Sequence, residues 1–268
     1  MYNNYFNAIT SRNIKCIYVS DTFSFVLLVI RAYYETEFFI VFKGLLCFVL
    51  IIAGHIKTLF GDIRGRGIII NDGSTDGTKQ ICEKNNYNVI NLIHNLGIGG
   101  AVQTGYKYAL ENNYDVAIQF DGDGQHDENY IDSLVKEIDN GANFVIGSRF
   151  IADLSEFKSS STRRMGIKIL SMLIKICTGK KIYDPTSGFR AADKKVIRLF
   201  ANHYPTEYPE PESTTELIKR GLKVKEIPVK MHKREFGESS IKPLKSVYYM
   251  FSVCLSIIIT SISAGGRK

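Results

Sequence analysis

Two aspartates two residues apart, Asp121 and Asp123, close a short apolar run from Ala117 to Phe120, with Gly122 and Gly124 beside them. An unpaired carboxylate at the end of a buried strand is costly, or it shifts its pKa until it neutralises. A divalent cation removes that penalty. Magnesium and manganese take oxygen ligands and commonly sit between carboxylates and a substrate's phosphates. Gln125 adds a neutral oxygen, and the glycines let a bulky ligand approach the backbone. The same residues also suit a solvated Asp-Gly turn, and alone the segment leaves both readings open.

Two further turns share its character. Gly67–Asn71 reads as a short buried strand, followed by Asp72-Gly73-Ser74-Thr75-Asp76-Gly77-Thr78, with a helix start at Ser74 or Thr75. Ligands of open α/β sheets bind beyond the carboxyl ends of strands, which suits Asp72 to a base or ribose. Asn95 to Ala101 (NLGIGGA) leads into a helical stretch over 102–110. Its small residues, Gly99 and Ala101 among them, permit close approach, and a helix N-terminus suits an anion. Neither a Walker loop nor G-x-G-x-x-G is present, because Val102 stands where the last glycine belongs. The 72–83 segment nearly fits a calcium-binding EF-hand loop. Ser74 at its third place, Lys79 at its eighth and the strand-like run before it oppose that reading.

The elements that must position these turns alternate. Strands are expected over 68–71, 88–93, 116–120 and 144–148, separated by helical stretches, which is an α/β sheet covered on both faces.

Three such turns in this order resemble the nucleotide-sugar half of family 2 glycosyltransferases with the GT-A fold, a Rossmann-like, mostly parallel sheet. The match continues through Val145-Ile146-Gly147-Ser148-Arg149-Phe150, Asp184-Pro185-Thr186-Ser187-Gly188-Phe189-Arg190 and Tyr208-Pro209-Glu210-Pro211-Glu212. These motifs resemble the branch related to dolichol- and polyprenol-phosphate sugar synthases, and the resemblance runs over residues 67–245. It implies that Asp121, Asp123 and Gln125 hold magnesium or manganese. It places Asp72 on the base of a nucleoside diphosphate sugar, with Ser74, Gly99 and Ala101 in the same binding turns. Arg149 faces the diphosphate, and Arg190 is a candidate for a phosphate of donor or acceptor. By its charge, Arg234 is a further candidate for the acceptor phosphate. Family members open on a strand followed by Pro-Ala-Tyr-Asn-Glu. Here 25–30 is the candidate strand and Arg31-Ala32-Tyr33-Tyr34-Glu35 follows, with Arg for Pro and Tyr for Asn, so Glu35 is the matching base contact.

Charge divides the chain. Residues 1–134 carry net −4 and residues 135–268 net +11. Residues 158–181 hold seven basic side chains and no acidic one, interleaved with Ile, Leu and Met. That composition fits an interfacial helix at an anionic membrane or a core helix with a solvated basic face. No aromatic-basic interleaving points to nucleic acid. Residues 38–54 are apolar nearly all round apart from Lys43, which predicts a buried or membrane-associated helix. Residues 247–264 hold no charge and lie between Lys242 and Lys245 on one side and Arg267 and Lys268 on the other. That length just spans a bilayer or lies along it. Five cysteines without a CxxC pair argue against a disulfide framework and a zinc site. The opening residues lack the order of a signal peptide. The expected organisation is a tail over 1–24, a GT-A domain over 25–240 and a membrane-associated segment over 241–268.

The expected activity is metal-dependent, inverting sugar transfer from a nucleoside diphosphate sugar to a polyprenyl phosphate at the cytoplasmic face of the cell membrane. Asp123 and Arg149 are the expected catalytic groups. A phosphate monoester is largely dianionic at neutral pH and needs no general base. A sugar hydroxyl needs one, and Glu210 and Glu212 are the candidates. They also suit the acidic start of a helix over 213–222. The alternatives are transfer to a glycan hydroxyl and a degenerate GT-A domain that binds without turnover. The Q-x-x-R-W motif of processive synthases is absent, and the chain has no Trp.

Overall fold

The computed structural model describes residues 67–74, 77–120, 125–152, 161–207, 209–232 and 243–265, together with three strands in the first 41 residues. Its centre is a sheet in the order β5-β4-β1-β2-β6-β8-β7-β9. The strands are β1 (Ile14–Ile17), β2 (Leu27–Ile30), β3 (Ile40–Val41), β4 (Gly67–Asn71), β5 (Val89–Asn91), β6 (Val116–Gln119), β7 (Phe144–Ser148), β8 (Arg190–Asp193) and β9 (Val224–Pro228). The two-residue β3 also pairs with β6. β2 and β8 run against all the others, so the sheet is mostly parallel, as expected.

Sequence explains the central strands. β6 and β7 are buried at every position, the pattern of strands covered on both faces. β8 fits antiparallel between them because its middle residues, Ala191 and Ala192, are small and fully buried. Asn143 joins this region. Its Nδ2 donates to Asp193 Oδ2 at 2.6 Å, and its Oδ1 accepts from the Lys223 N–H at 2.9 Å.

The helices are α1 (Thr78–Lys84), α2 (Gly97–Glu111), α3 (Ile131–Asp139), α4 (Ser161–Thr178), α5 (Lys194–Asn202), α6 (Pro209–Lys219) and α7 (Pro243–Gly265). α5 begins where the Asp193 side chain accepts from the Val196 N–H at 2.9 Å. It buries Val196, Ile197, Phe200 and Ala201 on one face. α2 packs against it with Val102, Tyr106 and Ala109. The Phe200 ring meets Tyr106 at 5.1 Å, Tyr204 at 4.9 Å and Phe144 at 5.9 Å between centroids. Such aromatic pairs add to the area they bury.

Three expectations change. β1 lies inside the 1–24 segment read as a tail. The run Ile14-Lys15-Cys16-Ile17 has the β-branched content of a strand, and its polar surroundings masked it. Within 38–54, read as an apolar helix, Ile40–Val41 form β3, and the remainder lies outside the described residues. The 241–268 segment is not separate, since α7 packs against α4 and α6. Among the described residues no helix is long and apolar enough to cross a membrane.

Gly99 in the first turn of α2 sits against the chain at Pro205–Thr206. A Cβ there would lie 2.1 Å from the Pro205 carbonyl oxygen and 2.5 Å from Thr206 Cα. Backbone cannot yield as a side-chain tip can, so Gly99→Ala is expected to destabilise by about 1–3 kcal/mol. The urea midpoint should fall without a change in slope.

Candidate functional site

The carboxyl ends of β4 and β7 carry Asp72 and Arg149, two of the residues singled out by sequence. At β4, Asn71 and Asp72 are both buried. Asn71 Oδ1 accepts from the Ser74 N–H at 3.0 Å, and its Nδ2 donates to Asn91 Oδ1 at 2.7 Å. Asp72 Oδ1 accepts from the Leu96 N–H at 2.7 Å. Gly73 has φ +73°, and a Cβ there would lie 3.2 Å from the Asn95 nitrogen. The 71–74 turn is thus packed directly on the loop that enters α2, and the two expected ligand turns form one surface. The helix after it starts at Thr78, later than the expected Ser74 or Thr75. A strand, not a helix, precedes Asp72, which removes the EF-hand reading.

Gly99 and Ala101 do not belong to that surface. Gly99 approaches Pro205–Thr206, its N–H donating to Thr206 O at 3.3 Å, and Ala101 is fully buried in the core. The small residues that suggested a ligand cradle serve helix packing instead.

β6 ends at Gln119, and residues 121–124, Asp121 and Asp123 among them, lie outside the described residues. The chain on their far side is fixed. The Gln125 carbonyl accepts from the His232 N–H at 2.8 Å, and His126 bridges to Met231. The buried His126 ring lies 5.3 Å from Phe120 and 5.1 Å from Phe189. Among the described residues no group of three or more His, Cys, Asp or Glu could hold a metal ion. The sequence set of two carboxylates and the Gln125 amide is all oxygen, which fits a hard divalent cation and not zinc. Gln119, just before them, has a fully buried amide that meets no partner among the described residues. Glu35 and Arg234 also lie outside the described residues.

At β7 the Arg149 side chain is 11 % exposed and grips Asp184. Its Nε donates to Asp184 Oδ2 at 2.7 Å and its Nη2 to Oδ1 at 2.6 Å, and its backbone N–H reaches Oδ2 at 3.0 Å. Nη2 also donates to Thr186 Oγ1 at 2.9 Å. Burial alone would raise the Asp184 carboxyl, but the Arg149 charge and hydrogen bonds outweigh it and hold the pKa below the usual value. Glu226 supports the same turn, accepting from the Tyr183 and Asp184 N–H groups, each at 2.8 Å. Burial pushes the Glu226 carboxyl up despite those bonds.

Arg190 corrects the expectation most clearly. It is fully buried, and its guanidinium donates to Ser187 O at 2.6 Å, Pro185 O at 3.0 Å, Glu210 O at 3.0 Å and Ser213 Oγ at 3.1 Å. Its role is to bind the 184–190 loop to α6, not to receive an acceptor phosphate. Glu210 and Glu212 stand in the first turn of α6, which starts at Pro209. Glu210 is buried there. Glu212 Oε1 accepts from Thr260 Oγ1 of α7 at 3.3 Å, and burial raises its pKa. Both carboxylates are built into helix packing. Sequence reading passed over Asp184, Ser187, Ser213 and Glu226. The signal for Asp184 was the buried arginine at the end of β7, which requires a counter-charge.

Comparison with known proteins gives the family. The model of "Glycosyl transferase family 2" matches residues 65–200, half of the chain. The chain belongs to glycosyl transferase family 2. It is a glycosyltransferase with the GT-A fold. The UDP-N-acetylglucosamine–dolichyl-phosphate N-acetylglucosaminyltransferase of Methanococcus voltae is 33 % identical over 191 residues, 63 % of this chain and 76 % of that protein. The polyprenol monophosphomannose synthase of Mycolicibacterium smegmatis is 26 % identical over 69 % of this chain and 74 % of that protein. Among solved structures, glucosyl-3-phosphoglycerate synthase from Mycobacterium tuberculosis with Mn2+ and UDP-glucose superposes with a TM-score of 0.55. Its identity is 16 %, covering 97 % of this chain and 81 % of that one, a likeness of fold alone.

Asp184→Asn removes the buried carboxylate that grips the Arg149 guanidinium and is expected to destabilise by about 3–5 kcal/mol. The pKa of Asp184 is depressed on folding, so its contribution is present above the unfolded value and is lost as pH falls through the folded one. The variant should therefore lose part of the acid limb of the stability–pH curve, read by denaturant midpoints across pH. Glu212 has the opposite sign. Its raised pKa favours the folded state below the usual carboxylate range, and that contribution fades as pH rises through the folded value. Glu212→Gln keeps the acceptor for Thr260 and should gain stability over the parent as pH rises, seen in paired thermal melts.

Proposed function

We propose that this glycosyltransferase moves a sugar from a nucleoside diphosphate sugar to a polyprenyl phosphate, with inversion at the anomeric carbon. The observation that carries the reading is its likeness to enzymes named for dolichyl and polyprenol phosphate acceptors, over about three quarters of their length. The placement of the glutamates agrees with it. A dianionic phosphate attacks without a general base, and Glu210 and Glu212 are committed to the packing of α6.

In this reading the surface formed by 71–74 and 95–97 receives the nucleoside, with Asp72 at the base. Arg149, held rigid by Asp184, sets a positive charge at the end of β7 beside the diphosphate that leaves. A preorganised charge of this kind stabilises the leaving group without reorganising during the reaction. Asp121, Asp123 and Gln125 would hold magnesium or manganese, which when bound neutralises charge developing on the diphosphate. The solved relative with Mn2+ and UDP-glucose supports a divalent cation and a nucleotide-sugar donor. The reaction would run at the cytoplasmic face of the cell membrane, where a water-soluble donor meets a lipid acceptor.

The test is sugar transfer from radiolabelled UDP-glucose, UDP-GlcNAc and GDP-mannose into extracted lipid, with and without manganese. The expected result is metal-dependent label in a mild-acid-labile lipid, reduced at least about a hundredfold in Asp123→Ala. Label in a water-soluble glycan instead would replace the phosphate acceptor with a hydroxyl. Nucleotide binding without transfer from any donor would make this a binding domain.

A further inference from the structure

The pair of Arg149 and Asp184 has a third member. Arg149 donates through one edge of its guanidinium. Its Nε reaches Asp184 Oδ2 at 2.7 Å, and its Nη2 reaches Asp184 Oδ1 at 2.6 Å and Thr186 Oγ1 at 2.9 Å. That edge carries one N–H bond on Nε and two on Nη2, so each of them meets an acceptor inside the protein. The Thr186 hydroxyl gives its own proton to Asp184 Oδ1 at 3.3 Å. It thus accepts from the cation and donates to the anion, which closes a ring over Nη2 and Oδ1. The Phe150 ring, 5.3 Å from the guanidinium carbon, adds a contact to the same cation.

The backbone holds this hydroxyl from both sides. Glu226 accepts from the Asp184 N–H at 2.8 Å, the Ser187 N–H donates to Asp184 O at 3.3 Å, and Ser187 Oγ donates to Gly147 O at 2.6 Å. Pro185 between them has a fixed φ. Asp184 is fully buried and Thr186 only half-buried, so Thr186 is the outer member of the three. Its neutrality matters. An arginine held by a carboxylate alone can swing to a second anion, because the two anions compete for the same donors. A second carboxylate at position 186 would hold the guanidinium but make the group net negative. A hydroxyl satisfies the last donor of that edge and leaves the positive charge in place.

We propose that Thr186 is a positioning residue, which locks the Arg149 guanidinium on Asp184 so that its charge keeps one direction when an anionic ligand arrives at the end of β7. The lock rests on the hydrogen bonds alone, and its contribution to catalysis rests on the proposed transfer reaction. Thr186 acts through Arg149 and not on the ligand, since its one hydroxyl proton goes to Asp184.

The experiment compares the full chain with Thr186→Val, which keeps the shape and removes the hydroxyl, and with Thr186→Ser, which keeps the hydroxyl. Thr186→Ala removes the same group without filling its place and should behave as Thr186→Val. The first readout is nuclear magnetic resonance of arginine-labelled protein at low temperature, with the Arg149 signals assigned through Arg149→Lys. The two Nη2 protons are expected as separate, slowly exchanging signals in the parent and in Thr186→Ser, and as merged or exchange-broadened ones in Thr186→Val. The second readout is sugar transfer. There kcat of Thr186→Val should fall about ten- to a hundredfold, as it does for a displaced catalytic group, with the donor KM within about threefold of the parent's. Thr186→Ser should recover most of the rate. The proposal is overturned if the Arg149 signals of Thr186→Val match those of the parent, or if Thr186→Ser restores neither signals nor rate. It is equally overturned if Thr186→Val lowers the melting temperature and leaves kcat unchanged. A parent that transfers no sugar from any donor refutes the transfer reaction, and the Arg149 signals then decide the lock by themselves.

Discussion

The pairing of Arg149 with Asp184 is the constraint on which the rest of the site depends. A guanidinium at the end of a buried strand must find an anion, and a fully buried carboxylate must find a cation. Each satisfies the other through several hydrogen bonds, including one from the backbone of Arg149. Neither end is adjustable, because Glu226 fixes the Tyr183 and Asp184 N–H groups and Ser187 Oγ donates to Gly147 O at 2.6 Å. The arginine at the end of β7 is thus a positioned charge and not a mobile one. A positioned charge is what stabilisation of a leaving diphosphate demands, since reorganisation has been completed on folding.

The 184–190 loop extends the same logic from one arginine to another. Arg190 is buried with no carboxylate paired to it among the described residues, and four oxygens share its donors. Three of those oxygens are backbone carbonyls, two in its own loop and one in α6. The Phe144 ring adds a face 5.5 Å from the guanidinium carbon. Removing the side chain would take from the Ser187 and Pro185 carbonyls the donor that reaches them in a dry interior, so its work is to join loop and helix.

Legibility in the sequence follows the range of the interactions. β4, β6 and β7 were readable because continuous apolar runs between polar turns mark strands buried on both faces. The turn at 71–74 was readable because Asn, Asp and Gly favour such geometry locally. Arg190 was misread because an arginine in a polar motif is ordinarily exposed, and only tertiary contacts reveal four acceptors around it. Gly99 was misread for the same reason, since a glycine needed for helix packing looks like a glycine needed for a ligand. Glu212 carries nothing in its own neighbourhood to announce that α7 lies across it. β1 went unseen because four residues of strand give little periodicity.

These contacts form a chain of short links from the surface to the strand ends. The Thr260 hydroxyl of α7 donates to Glu212 in α6, the Glu210 carbonyl and Ser213 of α6 hold Arg190, and Arg190 holds the loop whose Asp184 holds Arg149. Most of the links are buried, and none passes through an exposed hinge. Each link is a direct hydrogen bond between neighbours, so the first turn of α6 and the 184–190 loop carry the packing of α7 to the end of β7, and the placement of Arg149 is set by packing inside the protein.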